Sequence, residues 1–100
     1  MNILITGASG FIGQNLVDFF VKEGVHNIIT LDLKPQTHNT NHYCLDISNF
    51  SNLSNITEDI DIIYHLAAQS YGKGSLLEPE KDVDWNAKGT LNICRLAKLK

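Results

Sequence analysis

The sequence has 100 residues, room for one domain, with 43% hydrophobic and 19% charged side chains. That balance excludes a disordered chain, and no apolar run approaches the ~18 residues a membrane helix needs. A net charge of −3 leaves no basic surface, so nucleic acid is not an expected partner.

Met1 and Asn2 run directly into Ile3-Leu4-Ile5. With no basic leader, long apolar stretch or cleavage site, no secretory signal is read and a cytoplasmic location is expected. Ile3-Leu4-Ile5-Thr6 is apolar without alternation, as in a strand buried on both faces, and it closes at Gly7. Ile12, Leu16 and Phe20, with Val17 and Phe19 beside them, then recur at helical spacing. Gly24 follows the last of these and fits a helix C-cap.

Ile28-Ile29-Thr30-Leu31 predicts a second buried strand ending at Asp32. The polar run 34–42 reads as a loop, and Tyr43-Cys44-Leu45-Asp46 as a third strand. The repeat Ser-Asn-Phe, Ser-Asn-Leu, Ser-Asn-Ile puts Phe50, Leu53 and Ile56 near one face of a short helix, with Ser48 or Asp46 as its cap. Ile60 to Leu66 predicts a fourth strand running into Ala67 and Ala68, followed by a loop with Gly72 and Gly74. Pro79 suits the first turn of a long helix in which Val83, Ala87, Leu91, Cys94 and Ala97 keep helical spacing. Cys44 and Cys94 read as buried free thiols of a reducing compartment rather than a disulfide.

Apolar strands joined by crossovers imply an α/β fold, with a mostly parallel sheet covered by helices. The first strand should be central, with a ligand crevice beyond its carboxyl end.

The most informative stretch is Thr6-Gly7-Ala8-Ser9-Gly10-Phe11-Ile12-Gly13, which follows a strand and opens a helix. Gly7 permits a tight turn, Gly10 lets the backbone approach a pyrophosphate, and Gly13 allows close packing of the helix. Free N–H groups and the helix dipole at that point favour phosphate charge. Asp32, at the end of the second strand, suits the hydroxyls of an adenosine ribose. It would repel a 2′-phosphate by up to about 4 kcal/mol at 4 Å and an effective dielectric of 20. NAD is therefore expected over NADP, with Lys34 as the opposing signal.

These segments together resemble the extended short-chain dehydrogenase/reductases, the group of nucleotide-sugar epimerases, dehydratases and related reductases. The resemblance rests on TGASGFIG at 6–13, LDLKP at 31–35, CLDIS at 44–48, YHLAAQS at 64–70 and DWNAKGTLN at 84–92. It implies a Rossmann-like, doubly wound parallel sheet, reduced here to about its first four strands. It implies that Gly7, Gly10, Phe11, Ile12 and Gly13 line the pyrophosphate and that Asp32 holds the ribose. Asp46 and Ile47 would flank the adenine, and Leu66, Ala67 and Ala68 would pass beneath the nicotinamide ribose. Asn86 would support the site from behind, and Gly89 would let its helix approach a neighbour.

The same resemblance implies a nucleotide-sugar substrate and a homodimer for a complete enzyme, with hydride transfer through bound NAD. That chemistry uses a Tyr-x-x-x-Lys pair. Four residues beyond Tyr43, Tyr64 and Tyr71 stand Ile47, Ala68 and Ser75, so no catalytic residue is assigned. The expectation is an amino-terminal, NAD-binding part over residues 1–100, inactive by itself. The alternative is a non-catalytic NAD(P)-binding module that senses redox state. A phosphate loop with Lys-Ser/Thr, a nucleophile elbow and metal-ligand spacing are all missing from the sequence.

Overall fold

A computed structural model describes residues 1–35, 40–68 and 76–100. The expected loop with Gly72 and Gly74, together with Ser70 and Tyr71, lies outside the described residues.

Four parallel strands form one sheet in the order β3-β2-β1-β4: β1 (Asn2–Thr6), β2 (Asn27–Asp32), β3 (Asn41–Cys44) and β4 (Ile62–His65). Helix α1 (Phe11–Glu23) joins β1 to β2, and a single turn, α2 (Phe50–Leu53), lies between β3 and β4. After β4 come α3 (Pro79–Lys81), a π-helical segment at Asp82–Lys88 and α4 (Gly89–Leu99).

The registers Thr6 with Leu31, Thr6 with His65 and Asp32 with Cys44 bring the carboxyl ends of all four strands to one edge. The chain leaves β1 toward β2 and β3, then returns to β1's other side as β4. That reversal opens a crevice between β1 and β4, where open α/β sheets bind ligands.

Alternation along β1 accounts for the two cores. Ile3 and Ile5 join Val17, Phe20 and Ile28 on the α1 face. Leu4 joins Ile29, Leu31, Ile47, Leu53, Ile93 and Leu96 on the other. Each such side chain contributes about 1.5–3 kcal/mol when fully buried, and both faces of the central strands β1 and β2 are covered. Helix α1 ends as expected: Gly24 has φ 68° and its N–H donates to the Phe20 carbonyl at 3.2 Å.

Four sequence expectations need correction. Asn41 and His42 belong to β3 rather than to a loop, and Leu45 and Asp46 fall beyond it. Their polarity misleads because β3 is an edge strand whose side chains bond sideways. His42 meets Thr30, and both Tyr43 and Asn41 donate to the Glu58 carboxylate. The cap of α2 is Asn49, which accepts from the Ser51 N–H at 3.1 Å, rather than Ser48 or Asp46.

Cys44 and Cys94 are free, as read, but exposed rather than buried. The stripe from Val83 to Ala97 also faces outward, while Gly89, Asn92, Ile93 and Leu96 face the sheet. The π-helical turns insert extra backbone before Gly89 and rotate α4 relative to an unbroken helix. Gly89 then seats directly on Ile47, where a Cβ would come within 2.5 Å of that side chain. Among the described residues no helix is long and apolar enough to cross a membrane.

Candidate functional site

The turn after β1 is shaped by its glycines. Gly7 has φ 67°, and a Cβ there would stand 2.6 Å from the Leu66 carbonyl carbon. Its N–H donates to the Leu31 carbonyl at 2.9 Å, so the start of the turn stays tied to the end of β2. Gly13 sits in the first turn of α1, where a Cβ would lie 2.1 Å from the Gly7 carbonyl oxygen. Gly10 differs: a Cβ there would meet only that same oxygen, at 3.4 Å, and otherwise enters open space. It is the N-cap of α1, has no side chain to cap the helix, and no acid stands in the first turn. The N–H groups that begin a helix lack partners within it, and the helix itself places no acid at the dipole's positive end.

Beyond this turn opens a cleft of about 640 Å³. Gly7, Gly10, Phe11, Ile12 and Gly13 form one wall, and Asp32, Asp46 and Ile47 lie across from them. Leu66, Ala67 and Ala68 close the β4 side. Every residue the sequence placed against the cofactor's phosphates, riboses or adenine therefore lines one cavity, while Asn86 lies half-buried in the π-helical segment. Such an open turn suits a diphosphate: the space a Cβ would fill at Gly10 is vacant, and the N–H groups beside it favour anions.

Asp32 reaches back to the glycine turn. Its Oδ2 accepts the Ser9 N–H at 3.0 Å, and its Oδ1 accepts the Lys34 N–H at 3.0 Å. Each carboxylate oxygen keeps a further lone pair for a ligand hydroxyl. Asp46 turns the chain after β3 by accepting the Ser48 N–H at 2.9 Å.

Sequence reasoning missed three contributors. Trp85 lines the cleft one position before the asparagine that was singled out. Asn92, only 2% exposed, donates from Nδ2 to the Ile47 carbonyl at 2.7 Å and so fixes the far wall from behind. Its place in the run DWNAKGTLN was the available signal. Thr6, fully buried, accepts the N–H groups of Leu66 and Ala67 on its hydroxyl at 3.0 and 3.1 Å.

That hydroxyl has one proton to give, and His65 Nδ1 lies 2.7 Å away. The ring therefore accepts at Nδ1 and, when neutral, donates from Nε2 to the Thr90 hydroxyl at 3.0 Å. Burial also disfavours the charged ring and holds its pKa below the ordinary value near 6.5. In that case the unfolded chain binds the proton more readily than the folded one. The stability this contributes is complete above pH ~6.5 and is lost as pH falls from there through the lower folded-state value. Thermal melts between pH 8 and 5 should show this loss, and His65→Asn, which keeps an acceptor toward Thr6, should flatten it. An identical slope in both proteins would exclude His65 as its source.

A shallower hollow of about 400 Å³ lies at the opposite edge, where β2 and β3 begin, beside Gly24, His26 and Asn41. Its glycine, Gly24, ends a helix rather than opening one.

Comparison with known proteins agrees with this geometry. The profile of the NAD-dependent epimerase/dehydratase family matches residues 3–100. UDP-glucuronate 4-epimerase of Thermodesulfobacterium geofontis is 38% identical over 95% of this chain and 35% of its own length. An epimerase structure from Methanothermobacter thermautotrophicus superposes with a TM-score of 0.86 at 32% identity, over 98% of this chain and 32% of that one. The UDP-glucose 4-epimerase of Thermus thermophilus in complex with NAD gives 0.79 at 25% identity, over 92% of this chain and 32% of that one. The chain spans roughly a quarter to a third of the length of the curated relatives it matches. With a parallel Rossmann-type sheet, a glycine turn at its carboxyl edge and these likenesses in hand, the chain belongs to the NAD-dependent epimerase/dehydratase family.

Proposed function

We propose that this chain is the NAD-binding part of a nucleotide-sugar epimerase or dehydratase. One observation carries the reading. The Asp32 carboxylate, at the end of β2, is hydrogen-bonded to Ser9 within the glycine turn, so the two expected halves of a dinucleotide clamp share one cleft.

In this reading Gly7 and Gly10 leave room for the diphosphate, the N–H groups of Phe11 to Gly13 face it, and Asp32 accepts hydrogen bonds from the adenosine ribose. Asp46 and Ile47 flank the adenine, Leu66 to Ala68 run beneath the nicotinamide ribose, and Asn86 supports the site from its helix. In the full enzyme, bound NAD would supply a reversible hydride acceptor for the sugar. The negative charge of Asp32 favours NAD over NADP. Homologous complexes with NAD and relatives that act on UDP-sugars support the cofactor and the substrate class. The full enzyme would be a cytoplasmic homodimer, a location that suits the two free thiols. Residues 1–100 hold no Tyr-x-x-x-Lys pair, so this chain should bind cofactor without turning over a sugar nucleotide.

Calorimetric titration of the chain with NAD tests the reading. Gly10→Ala, which puts a methyl group into the cleft without striking its neighbours, should weaken binding at least about tenfold, ~1.4 kcal/mol, while leaving the melting temperature unchanged. Equal affinity in both proteins would count against a diphosphate at this turn.

A further inference from the structure

We infer that Ser9 is a positioning residue that sets the choice between a free and a 2′-phosphorylated adenosine ribose, an inference that rests on the dinucleotide reading above. Ser9 is not among the cleft-lining residues. Its N–H holds Oδ2 of Asp32. Its hydroxyl donates to the Pro35 carbonyl at 2.9 Å, with the Lys34 carbonyl the weaker second acceptor at 3.3 Å. The Lys34 N–H returns to Oδ1 of the same carboxylate.

A second pin comes from β3. The Lys34 carbonyl lies 2.9 Å from His42 Nε2, and because a carbonyl only accepts, that nitrogen carries a hydrogen. The other ring nitrogen lies 2.8 Å from the hydroxyl of buried Thr30. The backbone after β2 is thus held from the glycine turn on one side and from β3 on the other. Between these pins the Asp32 carboxylate has one main-chain N–H on each oxygen.

The consequence is selectivity by rigidity. A carboxylate fixed in this way presents its remaining lone pairs to two neighbouring ribose hydroxyls and stands where a 2′-phosphate would have to enter. On a loose turn it would rotate aside, and Lys34, already at the cleft, would bring an ammonium group toward that phosphate. Asp32 and Lys34 are opposing charges two residues apart. The Ser9 clamp decides which of them meets the ligand, because preorganised charge discriminates where mobile charge adapts.

The test is the ratio of dissociation constants for NADP and NAD, measured by calorimetry on this chain. Ser9→Ala should lower that ratio by about tenfold, equivalent to ~1.4 kcal/mol and the size of a lost hydrogen bond. Ser9→Thr keeps the hydroxyl and should keep the ratio. General loosening of the fold weakens both cofactors together and leaves the ratio where it was. His42→Leu frees the same backbone from the β3 side and should also lower the ratio, which carries the test if Ser9→Ala does not fold. An unchanged ratio in a folded variant, with NAD still bound by the unmutated chain, overturns the role of Ser9 alone. An unmutated chain that binds neither cofactor overturns the dinucleotide reading and this inference with it.

Discussion

Gly13→Ala is expected to lower the melting temperature of this chain by on the order of 15 °C. The added Cβ would lie 2.1 Å from the Gly7 carbonyl oxygen and 2.9 Å from the Ala8 Cα, both backbone atoms. Neither can rotate away. Gly7 is held by its bond to Leu31, and Ala8 is buried beneath α1. Relief therefore requires the helix to lift from the turn, and with it Val17 and Phe20 from the α1-side core. Overpacking of this kind costs about 1–3 kcal/mol, more where backbone is struck. At about 3 kcal/mol, a domain of this size loses roughly 4–8 °C for each kcal/mol. Gly10→Ala is the internal control, since its methyl group meets one oxygen at ordinary contact distance. Calorimetric melts of the two variants should separate widely. Similar curves would mean that the helix does not sit on the turn this closely.

The contrast also marks what a linear sequence conveys. β1, α1, the αL glycine at 24 and the glycine turn were legible because their causes are local: an apolar run, a helical spacing, a backbone conformation. The cleft-lining residues were legible for a different reason. The resemblance supplied them, and the parallel register brings the ends of β1, β2 and β4 to one edge. The orientation of α4 was not legible, because the π-helical turns break the period from which a stripe is read. The Ser9 clamp and the Thr6 network were not legible either. Their partners lie 23 to 61 positions apart, and only the strand order 3-2-1-4 brings them together. Asn92 shows the same limit: a polar residue inside an apolar helix face looks like a defect until the Ile47 carbonyl appears opposite it.

Thr6→Val should be the other large effect, and its cause lies in hydrogen bonds rather than in volume. Valine matches threonine in shape, so no cavity or clash arises at this fully buried position. The hydroxyl, however, serves three partners: it accepts from Leu66 and Ala67 and donates to His65. Leu66 keeps a second acceptor in the Thr6 carbonyl at 3.2 Å. Among the bonds at this junction only the hydroxyl receives the Ala67 N–H, and His65 Nδ1 faces the same atom. Each buried group left unsatisfied costs about 1–3 kcal/mol, and partial exposure of Ala67 and His65 puts the sum near the lower end, about 2–3 kcal/mol. The loss should also reach the cleft. Without the hydroxyl, the Leu66–Ala67 backbone is no longer drawn onto the end of β1, and the wall beneath the proposed nicotinamide ribose loosens. Thr6→Val is thus expected to lower both the melting temperature and NAD affinity, and Thr6→Ser, which restores the oxygen without the methyl group, should recover most of the affinity. Recovery separates the two contributions: if Ser binds no better than Val, the Thr6 methyl group rather than its hydroxyl holds this wall in place.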